Sequence, residues 1–275
     1  MSGNVLAEQA PIRIKQCRHG LFMYNMNDQY VGRSMDFYGE FSELEAGLFY
    51  QIIKPGMTVL DVGANIGAHT VGLSKAVGAT GQVIAFEPQR VVYQMLCGNL
   101  ALNNIQNVSA LMVAVGQSTG SITVPRLNYS AVDNFGGVSL ENVETGESVP
   151  LLTLDSLQLP RCHFIKLDVE GMEQVALEGA VETMKRCKPY LYVENDRKDK
   201  SLSLIHFLLN NGYRLFWHLP PLFNPENFYG AKEDIFPTLV SINMLGIPSE
   251  MMPTSMANFV EITAENASEY INVLK

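Results

Sequence analysis

From Thr58 onward, short apolar runs alternate with segments whose apolar residues recur at helical spacing. TVLDVG (58–63), QVIAFEP (82–88), NVSALMVAV (107–115), CHFIKLDVEG (162–171), PYLYVEN (189–195) and GYRLFWHL (212–219) read as strands one to six, and PTLVSINML (237–245) as a last strand. Between them, Ile66, Thr70, Leu73 and Val77 share one helical face, as do Val92, Met95, Leu96 and Leu100, and then Leu177, Val181 and Met184. Ser201 is placed to cap a further helix that turns Leu202, Ile205 and Leu209 inward. Near-continuous apolar strands alternating with amphipathic helices predict an α/β fold with a mainly parallel, doubly wound sheet covered on both faces.

Two regions break this rhythm. Residues 115 to about 160 hold β-like pieces, GSITVPRL, GGVSL and VPLLTLDSL, where a simple crossover would hold one helix. This predicts a β-rich insertion between strands three and four. Residues 1–55 predict an N-terminal cap, a hairpin followed by the helix SELEAGLFYQII. Residues 56–247 then form the main domain, with 248–275 a tail packed on it.

With 275 residues and 47% apolar composition, a sizeable core is available. The net charge of −9 and the absence of a basic face argue against nucleic acid as a partner. The four cysteines form no C-x-x-C pair, and no apolar run approaches a membrane span or a leader. A soluble, cytoplasmic protein is expected.

The turn after the first strand reads Gly63, Ala64, Asn65, Ile66, Gly67, Ala68. A dinucleotide site needs G-x-G-x-x-G, and Asn65 and Ala68 replace its second and third glycines. No G-K-[ST] follows, so a P-loop is excluded. Asp61 ends the strand instead. A carboxylate there would repel pyrophosphate and suits a cofactor bearing an ammonium and a sulfonium, S-adenosylmethionine. Glu87, ending the second strand, is placed to accept two ribose hydroxyls, which fits a nicotinamide cofactor equally well.

LDVGANIGAHT, AFEPQ, NLALNN, IKLDVEGMEQVALEGA and YVEN together resemble the FkbM-type methyltransferases, within the broader Rossmann-like S-adenosylmethionine-dependent methyltransferases. The resemblance runs from about Tyr38 to about Asn243. It implies a Rossmann-like methyltransferase fold and O-methylation of a hydroxyl on a sugar, glycan, polyketide or other small metabolite. The candidate cofactor contacts are Glu40, Asp61, Gly63, Ala64, Asn65, Gly67, His69, Thr70, Glu87, Pro88 and Asp168.

Strand ends three apart in function then deliver Asp168 with Glu170, Glu194 with Asn195, and Trp217 with His218 to one sheet edge. Two mechanisms fit. In one, Asp168, Glu170 or His218 is a general base. In the other, Asp168, Glu194 and Asn195 hold a divalent cation such as Mg²⁺, an arrangement similar to that of catechol-type O-methyltransferases. Here Glu194 stands where that group has Asp, and Gly171 where it has Lys. WHLPPLFNPENFYG and NFGGVSL are candidate substrate lids, and YGEFSELE is placed to close over the methionine end. The rival functions are a nicotinamide-dependent oxidoreductase and a non-catalytic binding protein on the same fold.

Overall fold

A computed structural model describes residues 4–251 and 259–267. Strands β1 (Val5–Gln9), β2 (Ile12–Cys17) and β3 (Gly20–Asn25) form an antiparallel meander, followed by helices α1 (Val31–Tyr38) and α2 (Glu43–Ile52). The expected hairpin thus gains a third strand, because β1 pairs with β2, and a helix that YVGRSMDFY did not announce.

The main body runs β4 (Thr58–Val62), α3 (Thr70–Val77), β5 (Gln82–Phe86), α4 (Arg90–Leu102) and β6 (Val108–Leu111). The insertion holds β7 (Ala114–Val115), β8 (Gly120–Val124) and β9 (Glu147–Leu152). Then come β10 (Phe164–Leu167), α5 (Glu173–Glu178), α6 (Val181–Cys187), β11 (Tyr190–Glu194), α7 (Lys198–Asn210), β12 (Tyr213–His218), β13 (Asn243–Pro248) and β14 (Val260–Ile262). The sheet order is β14-β12-β13-β11-β10-β4-β5-β6. From β11 to β6 every pairing is parallel, while β13 runs antiparallel to both its neighbours. This is a Rossmann-like sheet with two reversed strands, β13 and β14, at one end.

Side-chain alternation assigns the two faces. Leu60, Val62, Ile165, Leu167, Leu191 and Val193 pack under α5, α6 and α7. Val59, Phe164, Tyr192, Phe216 and Leu245 pack under α2 and α3, around Phe49, Leu73 and Val77. Phe22, Tyr24 and Met35 of the N-terminal segment share a third cluster with Val92, Met95 and Leu96 of α4.

Several local expectations shift. NVSALMVAV splits into β6 and β7, because β7 leaves the main sheet to pair with β9. GGVSL forms no strand; it runs as a loop. Ser201 lies inside α7, which starts a turn earlier after extended Arg197, so Ser201 caps nothing and is fully buried. The inward face accordingly rotates to Leu204, Ile205 and Leu208, leaving Leu202 at 40% exposure. Of the segment 248–275, residues 252–258 and 268–275 lie outside the described residues. Within it β14 pairs with β12, and Ile262 and Ala267 are buried. Among the described residues no helix is long and apolar enough to cross a membrane.

Candidate functional site

The chain leaves β4 through three left-handed residues, Gly63 (φ 80°), Asn65 (φ 51°) and Gly67 (φ 85°). A Cβ on Gly63 would lie 1.8 Å from the Asp168 carbonyl oxygen, so the ends of β4 and β10 touch because this residue has none. A Cβ on Gly67 would lie 2.7 Å from Leu96 Cδ1, where the turn packs on α4. Asn65 tolerates the left-handed conformation better than most residues, and its Oδ1 accepts from Ile66 N at 2.7 Å. The Gly63 and Ala64 amides donate to Phe86 O at 3.0 and 2.9 Å, which ties the turn to β5.

Glu87 follows β5 and is 4% exposed. Its carboxylate accepts from Asn65 N (3.0 Å) and Gln89 N (2.8 Å). Burial pushes it up to about 7 against those two amides. Glu87, Gly63, Pro88, Asp168 and Glu170 line a cleft of about 520 Å³, counting its open mouth, together with the apolar Val113, Val115, Val138, Leu140 and Met172. A flat apolar base suits the apolar part of this lining, and a ribose suits Glu87, whose oxygens each keep a lone pair free.

At the other end of the turn, Asp61 is fully buried. Thr70 Oγ1 donates to its Oδ2 at 2.6 Å, while Oδ1 has no hydrogen bond. Oδ1 faces a cation, Lys166, without a hydrogen bond from it, so the oxygen keeps its acceptor capacity; these residues fit a cofactor with an apolar base, a ribose and an ammonium. Lys166 on β10 is 2% exposed, its Nζ 3.3 Å from Asp168 Oδ2 and 3.7 Å from Asp61 Oδ1. Glu45 of α2 joins from above. Its Oε2 accepts from Ser42 Oγ (2.9 Å) and Asn243 Nδ2 (3.4 Å), and its Oε1 lies 3.6 Å from His69 Nε2. Burial pushes Glu45 up to about 7 and drives His69 well below its usual value, so His69 is neutral.

Asp168, Glu170 and Glu194 bring carboxylate oxygens within 4.8 Å of one another. Burial and Asp168 push Glu170 up to about 8, although Arg197 Nη2 donates to it at 2.6 Å. Burial, Asp168 and Glu170 raise Glu194 well above the carboxylate range, and its Oε2 is buried without a hydrogen bond. The spacing would admit a divalent cation, but Lys166 already sits on Asp168 and Arg197 on Glu170. The donor set carries its own positive charges. Asn195 is buried, with its Nδ2 3.2 Å from Met244 Sδ.

Two sequence candidates stand apart. Glu40 is 3% exposed and accepts from Arg18 Nε (2.6 Å), Asn224 Nδ2 (2.8 Å) and Phe228 N (2.7 Å). It latches the 224–228 loop onto the N-terminal segment rather than facing the cleft. His218 ends β12, two strands from Glu194 on β11 and three from β10, which leads to Asp168. Its Nδ1 lies 2.7 Å from Tyr192 Oη. No expectation from the sequence covered Lys166, whereas Glu45 is one of the YGEFSELE glutamates expected to meet the ammonium at the methionine end. A lysine inside the apolar run FIKL was the available signal, since a buried lysine is rare unless paired.

The sequence pattern of the methyltransferase FkbM domain matches residues 61–215. Methyltransferase sdnD of Sordaria araneosa is 27% identical over 157 residues, covering 45% of this chain and 60% of that protein. The chain thus spans less than two thirds of that relative. Among solved structures, methyltransferase FkbM from Methylobacillus flagellatus KT is similar over 80% of this chain and 55% of its own, at 18% identity and a TM-score of 0.48. Fibrillarin from Aeropyrum pernix with natively bound S-adenosyl-L-methionine is similar over 90% and 98%, at 12% identity and a TM-score of 0.45.

Proposed function

Because the chain belongs to the FkbM methyltransferase family, we propose that it transfers a methyl group from S-adenosylmethionine to a hydroxyl of a sugar, glycan or polyketide. The observation that carries this is the pairing of two buried acids across one turn, Asp61 with its orphaned Oδ1 and Glu87 on the cleft wall. When bound, the cofactor supplies an electrophilic methyl group on a sulfonium. The chain's own residues do the rest. Glu87 accepts the ribose hydroxyls, the Asp61 carboxylate faces the ammonium, and Gly63 lets β4 and β10 approach. A neutral hydroxyl is a poor nucleophile, so a base at the cleft helps.

Asp168 is that base. Its side chain is 40% exposed where it lines the cleft, whereas Glu170 is 18% exposed beneath Arg197 and His218 is bonded to Tyr192. Labelled S-adenosylmethionine incubated with glycan and polyketide panels should yield alkali-stable methyl ethers. Asp168→Asn should lower turnover by about 100-fold or more, and a chelator should leave it unchanged. Cofactor binding without transfer to any hydroxyl acceptor would sink the reading in favour of a non-catalytic binding protein; loss of turnover in chelator would restore the cation.

A further inference from the structure

Strand β10 carries a lysine where its pattern predicts an apolar side chain. Phe164 and Lys166 alternate onto the α2/α3 face, and Ile165 and Leu167 onto the other. All four are buried. A buried ammonium is costly unless its charge is matched, so the position demands a reason. The strand register supplies one. Lys166 stands directly opposite Asp61 on β4 and Tyr192 on β11. Its Nζ donates to Asp168 Oδ2 at 3.3 Å and faces Asp61 Oδ1 at 3.7 Å. The second Asp61 oxygen is taken by Thr70, and Glu45 brings a third carboxyl from α2.

Lys166 sets one ammonium against two carboxylates, Asp61 and Asp168, which leaves one negative charge over. Resting on the cofactor reading above, we propose that Lys166 is a positioning residue, which pins the Asp61 and Asp168 carboxylates on either side of its ammonium so that the cofactor's amino-acid ammonium meets an ionised acid. Lys166 commits its ammonium to Asp168 and Asp61 and acts through these two partners. Without it, the two carboxyls lose the group that holds them in place, and the ligand's ammonium loses its partner. The adenosine half of the site, on the far side of the Gly63 turn, is untouched. A lysine that merely filled the core would favour no part of the ligand over another.

Calorimetry with two probes separates these cases. S-adenosylhomocysteine carries the amino-acid end; 5′-methylthioadenosine has the same adenosine and thioether without it. Lys166→Met should weaken S-adenosylhomocysteine by about tenfold or more, the worth of one charge-assisted hydrogen bond, and leave methylthioadenosine within about twofold. Lys166→Arg, which keeps the charge, should recover most of the loss. If circular dichroism shows Lys166→Met unfolded, Lys166→Gln replaces it with the same expectation. Equal losses for both probes, or no loss for either, would overturn the inference while leaving the cofactor reading in place. A wild type that binds neither probe would overturn the reading and the inference together.

Discussion

Glu87 holds its carboxyl up to about 7 because it is buried with two backbone amides as its partners. Below that pH it is protonated and offers the ribose fewer acceptors. S-adenosylhomocysteine binding should therefore strengthen by up to about tenfold for each unit as pH rises toward 7, and level off above it. Glu87→Gln should bind more weakly with a shallower profile, and parallel profiles by calorimetry would refute this assignment. Folding stability runs the opposite way. A carboxyl raised in the folded state contributes stability that is full below its ordinary value and lost as pH rises through about 7. The acids at β4 and β5 were legible in the sequence because each ends an apolar strand beside a glycine turn. Lys166 was not, because its meaning depends on register, and a single sequence does not show that Asp61 stands opposite it.

At the scale of elements, local periodicity located the helices and strands of the main sheet but not how distant pieces pair. β7 departs for β9, and the run from Glu173 breaks at Gly179 into α5 and α6, because a Cβ on Gly179 would lie 2.0 Å from Gly116 O. The loop after β12 read as a lid, and its attachment could not be foreseen. It is fastened to the N-terminal segment by Glu40, by Tyr38 Oη, which accepts from Ile235 N at 2.7 Å, and by Tyr229 Oη, which donates to Gln16 O at 2.8 Å. Glu40→Ala should cost about 3 kcal/mol in urea unfolding, since it strands a guanidinium and two N–H donors together. Hydrogen exchange should rise first in residues 224–235. Unaltered protection there would show that the latch carries no weight.

For the whole molecule, the N-terminal segment is built into the shared core and does not stand apart as a detachable cap. Phe49 packs edge-on to Phe164 and Tyr192 of the sheet, at 5.4 and 4.7 Å between centroids. A fragment beginning at residue 56 should lack a cooperative thermal transition and expose apolar surface to a hydrophobic dye. A sharp transition in that fragment would show an independent domain. The same integration has a consequence in time. Glu40 meets Phe228 across 188 positions, and Glu45 meets Asn243 across 198. A ribosome adding about 5–20 residues each second takes roughly 10–40 s to cover such a span. On each newly made chain Glu40 and Glu45 thus leave the ribosome long before the residues that fasten them, and the contacts between α2 and β13 close only after the whole sheet between them has been made.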